Sequence, residues 1–184
     1  MTTPIWYMFG LWLLWILQFI LFRPKQKSTT IKTAPNFRWG IVLQMLGNCA
    51  IFLPAVRSWA QPIAVWRISA GVVFGLVGVC LASTAIRHLG KQFQITAAIN
   101  DDHQLVTSGP YQIVRHPIYA SMFAMYVMSV FLLGRLPWWP IGIVLFLAGI
   151  EVRIHVEDTL LRDRFGPAFE AWKLKVPAIL PLIH

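Results

Sequence analysis

Two stretches hold most of the residues able to do chemistry, one from Arg87 to Tyr119 and the other from Glu151 to Lys175. The first contains His103-Gln104-Leu105-Val106-Thr107-Ser108-Gly109-Pro110-Tyr111, then Arg115-His116-Pro117-Ile118-Tyr119. Gly109-Pro110 forces a turn. Pro117 suits the first turn of a helix, where its missing N–H costs nothing. Arg115 and His116 then stand beside a helix N-terminus, whose free N–H groups can bind an anion such as a carboxylate. Arg115 serves equally well as a topology anchor on a lipid phosphate. The second stretch opens Glu151-Val152-Arg153-Ile154-His155-Val156-Glu157-Asp158. On a helix Arg153 and Glu157 share one face, and Glu151, His155 and Asp158 another. Asp158 and Arg162 read as a solvated intrahelical pair of little energetic value. Glu151 lies about a turn deeper in an apolar run and calls for a partner. Cys49 and Cys80 fall in apolar stretches without metal-ligand or CxxC spacing, so no metal site is expected.

The elements that must position these residues are transmembrane helices. Of 184 residues, 57% are hydrophobic and 12% charged, with a mean hydropathy of +0.62. A soluble domain carries about 25% charged residues, and disordered chains are more polar still. The reading is an all-α integral membrane protein, one domain over residues 1–184, with about five spans. They fall near 5–22, 39–56, 68–86, 117–133 and 138–155. The first lacks a basic leader segment and a small-residue cleavage site, which favours a retained span over a signal peptide. Gly134, Arg135 and Pro137 leave so short a turn that spans four and five should form a tight antiparallel hairpin. Gly71, Gly75, Gly78 and Ala82 line one face of span three, a stripe suited to close helix packing. Trp138 and Trp139 suit an interfacial belt.

Net charge is +9, yet the basic residues lie between apolar runs, which points to anionic lipid headgroups rather than nucleic acid. With five spans, every Lys and Arg except Arg57, Arg67 and Arg135 falls on one side. The positive-inside rule makes that side cytoplasmic, with the N-terminus outside and the C-terminus inside. Both polar stretches then meet at a cytoplasmic pocket. No repeat suggests a duplicated transporter, and no GxGxxG suggests a Rossmann domain. The short loops lean towards a prokaryotic plasma membrane.

Leu105 to Tyr111, Arg115-His116-Pro117-Ile118-Tyr119, Arg153 with Glu157-Asp158, and Phe165-Gly166 together resemble the isoprenylcysteine carboxyl methyltransferase family, relatives of the membrane phospholipid methyltransferases. The resemblance covers roughly residues 80–183, with the catalytic part at about 87–183. It implies an integral membrane methyltransferase using S-adenosylmethionine. His103, Gln104, Leu105 and Val106 match the segment that holds the adenosine part, much of it through main chain. Tyr111 matches a cofactor-contacting tyrosine, and His116, Pro117, Ile118 and Tyr119 match the methionine end. Glu157 matches a cofactor-binding glutamate suited to the ammonium, and Arg153 an arginine at the prenylcysteine carboxylate. The chain departs from the family at Asp158, where a second glutamate is usual. It also departs at Phe169 and Trp172, where tyrosines are common, and near Ala98, where a polar residue contacts the cofactor.

The chemistry suits those roles. A carboxylate acceptor is already ionised at neutral pH and needs no base, so the protein has mainly to position and desolvate the reactants. An amine acceptor must first lose a proton, which a neighbouring Arg153 does not help. The expected activity is therefore carboxyl O-methylation of isoprenylcysteine or a similar lipophilic acid, on a prenylated small molecule or protein entering from the bilayer. The alternatives are a lipid N-methyltransferase with the same cofactor site and a non-catalytic membrane scaffold.

Overall fold

The computed structural model describes residues 5–22, 30–34, 36–55, 63–94, 98–100, 103–133 and 139–180. Five long helices form the bundle: α1 (Ile5–Leu21), α2 (Phe37–Ala55), α3 (Val65–Leu89), α4 (Pro117–Leu133) and α5 (Trp139–Phe165). A short α6 (Pro167–Lys173) follows. Helices are what such apolar runs must form, because lipid offers the backbone no other hydrogen-bond partners. α2, α3 and α5 are long and apolar enough to cross a membrane, while α1 and α4 are shorter apolar helices of 17 residues each.

Local signals set the ends. Pro117 opens α4, and Gly90 (φ 50°) closes α3 with its N–H bonded to Ile86 O. Gly166 (φ 51°) turns the chain from α5 into α6, which starts with Pro167. These left-handed positions favour glycine. α5 runs ten residues past the span end expected at 155, carrying the polar residues beyond the apolar run on the same helix. The all-α expectation misses one feature: β1 (Thr30–Thr33) pairs antiparallel with β2 (Ala98–Asn100), Lys32 opposite Ile99 and Thr33 opposite Ala98. Both segments are short and partly β-branched, which suits strands.

Glycines set the closest helix contacts. Gly40 and Gly47 of α2 face Gly149 and Gly142 of α5, so these helices run antiparallel. The expected stripe Gly71, Gly75 and Gly78 is buried against Leu132, Met128 and Met125 of α4, so α3 and α4 are also antiparallel. α1 runs parallel to α3, with Leu11 against Gly75 and Gln18 Oε1 accepting from Ser83 Oγ at 2.5 Å. Trp12 and Trp15 of α1 donate to Ser129 and Ser121 of α4 at 3.1 and 3.2 Å. α4 and α5 lie antiparallel and meet through large side chains such as Tyr126 stacked on Phe146, with ring centroids 4.2 Å apart. The turn expected at Gly134, Arg135 and Pro137, and Trp138 beside it, lie outside the described residues. The closest partner of α4 is α3, and that of α5 is α2.

Successive helices therefore alternate in direction. The C-terminal ends of α1, α3 and α5 gather at one end of the bundle with the N-terminal ends of α2 and α4. The outer faces are apolar, with Trp6, Leu13, Trp39, Leu53, Val73 and Val144 all exposed. A soluble monomer rarely leaves so much apolar surface uncovered.

A Cβ at Gly47 would lie 2.8 Å from Gly142 O and 2.9 Å from Phe146 N, whereas one at Gly10 meets nothing within 4 Å. Gly47→Ala is expected to lower the thermal midpoint in detergent, at a cost of about 1–3 kcal/mol. Gly10→Ala should lower it little or not at all. Equal midpoints would contradict the α2–α5 seam.

Candidate active site

A cavity of about 510 Å³ opens at the shared end of the bundle, a volume suited to a small-molecule ligand. The residues expected to hold the cofactor and the acceptor carboxylate all line it, whereas Glu151, His155 and Asp158 do not. His103, Gln104, Leu105 and Val106 come from the irregular run before the turn, and Tyr111 from the turn itself. Arg115, His116, Pro117, Ile118 and Tyr119 come from the start of α4, and Arg153 and Glu157 from α5. Sequence reasoning missed the opposite wall, where Trp15, Ile16, Phe19 and Ile20 of α1 present an apolar face. It also missed Met122, Leu160 and Leu161. Their only signal was their place in apolar helices, which does not distinguish a cavity wall from lipid contact.

A buried carboxylate organises the polar side. Asp158, 4% exposed, receives Arg115 Nη2 at 3.2 Å, His116 Nε2 at 2.9 Å and Lys173 Nζ at 3.0 Å. This overturns the expected solvated Asp158–Arg162 pair; Arg162 instead pairs with Glu170 in the exposed region of α6. The reason is tertiary. α6 and residues 176–178 fold over the end of α5 and cover Asp158, while Glu151 and His155 on the neighbouring turns stay exposed. Glu151 thus sits on the surface rather than facing the bundle.

Arg115 is 8% exposed and clamps the same segment, donating to Val176 O at 2.5 Å and Lys173 O at 3.3 Å. The backbone N–H groups of Arg115 and His116 donate to Pro177 O and Ala178 O at 2.8 and 2.9 Å. So enclosed, Arg115 is not the lipid-phosphate anchor that its sequence position also allowed.

His116 bridges two carboxylates: Nε2 faces Asp158 Oδ1 at 2.9 Å and Nδ1 faces Glu157 Oε2 at 3.4 Å. Burial alone pulls an imidazole's pKa down, but hydrogen bonds to Asp158 and Glu157, together with their charge, outweigh it. His116 is left above its ordinary value near 6.5. Burial, and secondarily the charge of Glu157, pushes the Tyr111 phenol up, so its hydroxyl stays protonated. Tyr119 Oη donates a short hydrogen bond to Glu157 Oε1. Glu157, with its side chain 30% exposed, is thus held from two sides while facing the cavity.

One turn up α5, the Arg153 guanidinium lies between the rings of Phe37 and Tyr119, 4.3 and 4.6 Å from their centroids. Its Nη1 donates to Gln44 Oε1 at 2.7 Å. A cation and an anion therefore stand one helical turn apart beside one cavity. Trp172, which also lines it, has a buried indole N–H without a partner.

Residues 71–163 match the family model described as the isoprenylcysteine carboxyl methyltransferase (ICMT) family. Three relatives carry related names. The protein-S-isoprenylcysteine O-methyltransferase of Schizosaccharomyces pombe is 33% identical over 112 residues, 60% of this chain and 48% of the relative. That of Dictyostelium discoideum is 25% identical over 185 residues, 96% of this chain and 74% of the relative. The probable protein-S-isoprenylcysteine O-methyltransferase of Oryza sativa subsp. indica is 30% identical over 142 residues, 73% and 69%. The match spans about half the length of the fission-yeast protein and about seven-tenths of the other two.

A group whose pKa rises on folding stabilises the fold below its unfolded value and loses that contribution as pH climbs through the folded one. As pH climbs above the ordinary histidine value near 6.5, wild type should lose thermal stability relative to His116→Gln. Parallel pH responses of the two proteins would contradict a protonated His116 bridging Glu157 and Asp158.

Proposed function

We propose, for a chain that belongs to the isoprenylcysteine carboxyl methyltransferase family, that it is an integral membrane methyltransferase esterifying the carboxylate of isoprenylcysteine or a similar lipophilic acid. The methyl donor is S-adenosylmethionine. The observation that carries this reading is the cavity itself: Arg153 and Glu157 stand one turn apart on α5, facing an apolar wall from α1.

The residues present fit the cofactor. Its ammonium needs an anion, and Glu157 offers a carboxylate partly open to the cavity. Its polar groups need donors, and the unpartnered Trp172 N–H is one that burial leaves costly to waste. Bound there, S-adenosylmethionine supplies a methyl group on a sulfonium, ready for displacement. The chain's own residues do the rest. Tyr119 and His116 hold the Glu157 carboxylate by one oxygen each. His103, Gln104, Leu105 and Val106 form the wall for the adenosine part, with Tyr111 beside them. Arg115, His116, Pro117, Ile118 and Tyr119, at the α4 N-terminus, line the end that takes the methionine carboxylate. Arg153 orients the acceptor carboxylate, and no general base is required. Trp15, Ile16, Phe19 and Ile20 face the acceptor's apolar chain and exclude water.

Five crossings fit the alternating helix directions. Each 17-residue helix measures about 25 Å at 1.5 Å per residue, close to the ~30 Å hydrocarbon core. The basic end is cytoplasmic on the positive-inside rule, so the soluble cofactor enters from water and the acceptor from lipid.

The test uses protein in lipid nanodiscs, methyl-labelled S-adenosylmethionine, and N-acetyl-S-farnesylcysteine or phosphatidylethanolamine as acceptor. Label in the farnesylcysteine product that mild alkali releases as methanol is expected. Arg153→Ala and Glu157→Gln should each lower kcat/KM by about 100-fold, as for truncating one partner of a buried charge contact. An alkali-stable labelled lipid, or no label in either acceptor, overturns the reading.

A further inference from the structure

Gln44 is a polar residue in the middle of an apolar helix, 4% exposed, and it precedes the family-matched stretch 71–163. A buried polar side chain at membrane depth is costly and calls for a reason. Its surroundings supply one. α2 presents Gly40 and Gln44 one turn apart, and α5 presents Gly149 and Arg153 one turn apart. The helices are antiparallel, so each glycine makes room for the other helix's long polar side chain. A Cβ on Gly149 would lie 2.7 Å from Gln44 Cγ, and one on Gly40 would overlap Arg153 Cγ. The result is the 2.7 Å bond from Arg153 Nη1 to Gln44 Oε1. A guanidinium has no acceptor atom, so the oxygen of the Gln44 amide must be the one that faces it.

The other contacts of Arg153 are the Phe37 and Tyr119 rings and Met122 Sδ at 3.7 Å. None carries formal charge, and Arg153 makes no ion pair among the described residues. Its Nε–H is buried without a partner. The guanidinium is therefore held in place by neutral groups, with no carboxylate in ion-pair contact among the described residues. By contrast, Arg115 and Lys173 spend their charge on Asp158.

From this we infer that Gln44 is a positioning residue of the acceptor site: its neutral amide fixes Arg153 without neutralising it, reserving that charge for the acceptor's carboxylate. The inference rests on the carboxyl methyltransferase reading and places part of acceptor recognition on α2. Glutamine at this position is then a choice of charge as well as of shape. A carboxylate of the same size would hold Arg153 more tightly and cancel it.

The test compares wild type, Gln44→Glu and Gln44→Leu in nanodiscs, with steady-state kinetics for S-adenosylmethionine and N-acetyl-S-farnesylcysteine, and binding of S-adenosylhomocysteine as a check on the folded cofactor site. Gln44→Glu should raise the acceptor KM by about tenfold or more, with S-adenosylmethionine KM and S-adenosylhomocysteine affinity unchanged. Gln44→Leu should raise it less, because the charge remains and only the tether is lost. An unchanged acceptor KM in Gln44→Glu overturns the inference while leaving the carboxyl methyltransferase reading intact. So does a uniform loss of both affinities together with the thermal midpoint, which marks a structural role. Absence of carboxyl methylation in wild type would overturn the reading itself, and the inference with it.

Discussion

The polar end of the bundle depends on one buried carboxylate. Asp158 gathers Arg115 and His116 from the start of α4 and Lys173 from α6. Charges so buried are tolerable only when fully paired, and removing one partner of such a set typically costs about 3–5 kcal/mol. The contacts tie the start of α4 to the end of α5 and to the C-terminal segment in one step. That segment is then fixed again by the backbone of residues 115 and 116. Glu157 is the immediate neighbour of Asp158, and His116 reaches both. The same cluster that closes the bundle therefore also aims Glu157 into the cavity.

Two glycine seams do the complementary work in the apolar region. The α3–α4 seam brings the start of α4 under the end of α3, and the α2–α5 seam brings Gln44 against Arg153. Between these two close pairs, α4 and α5 stand further apart and meet through Tyr119, Tyr126 and Phe146. α1 closes the side of the gap with Trp15 and Phe19. The cavity is the space left by two tight pairs that are not tight against each other. Its polar floor and apolar wall follow from the end of the bundle at which it lies.

Much of this was legible in the residues. The long apolar runs, Pro117 at a helix start and the Gly71–Gly75–Gly78 stripe translate directly into helices, an end and a packing face. The polar motif residues share one cavity because they flank the helices at one end of the bundle. Asp158 was misread because helical spacing says which residues share a face, and nothing about what covers that face. Arg162 is a plausible partner at i+4 until α6 and residues 176–178 fold over the helix. The α1 wall and Gln44 were missed for a related reason. A residue in an apolar helix can face lipid, a neighbour or a cavity, and only the packing decides. The β1–β2 pair joins segments about 70 residues apart, each too short to announce itself.

The central claim is that Glu157, held by Tyr119 and His116, is the anionic anchor of a cofactor site. Calorimetric titration of S-adenosylhomocysteine into the nanodisc-embedded protein tests it most directly. One binding event per chain is predicted for wild type, with Glu157→Gln weakening it by about tenfold or more through loss of a charged hydrogen-bond partner. Equal affinity in the two proteins, or no binding to either, would contradict it.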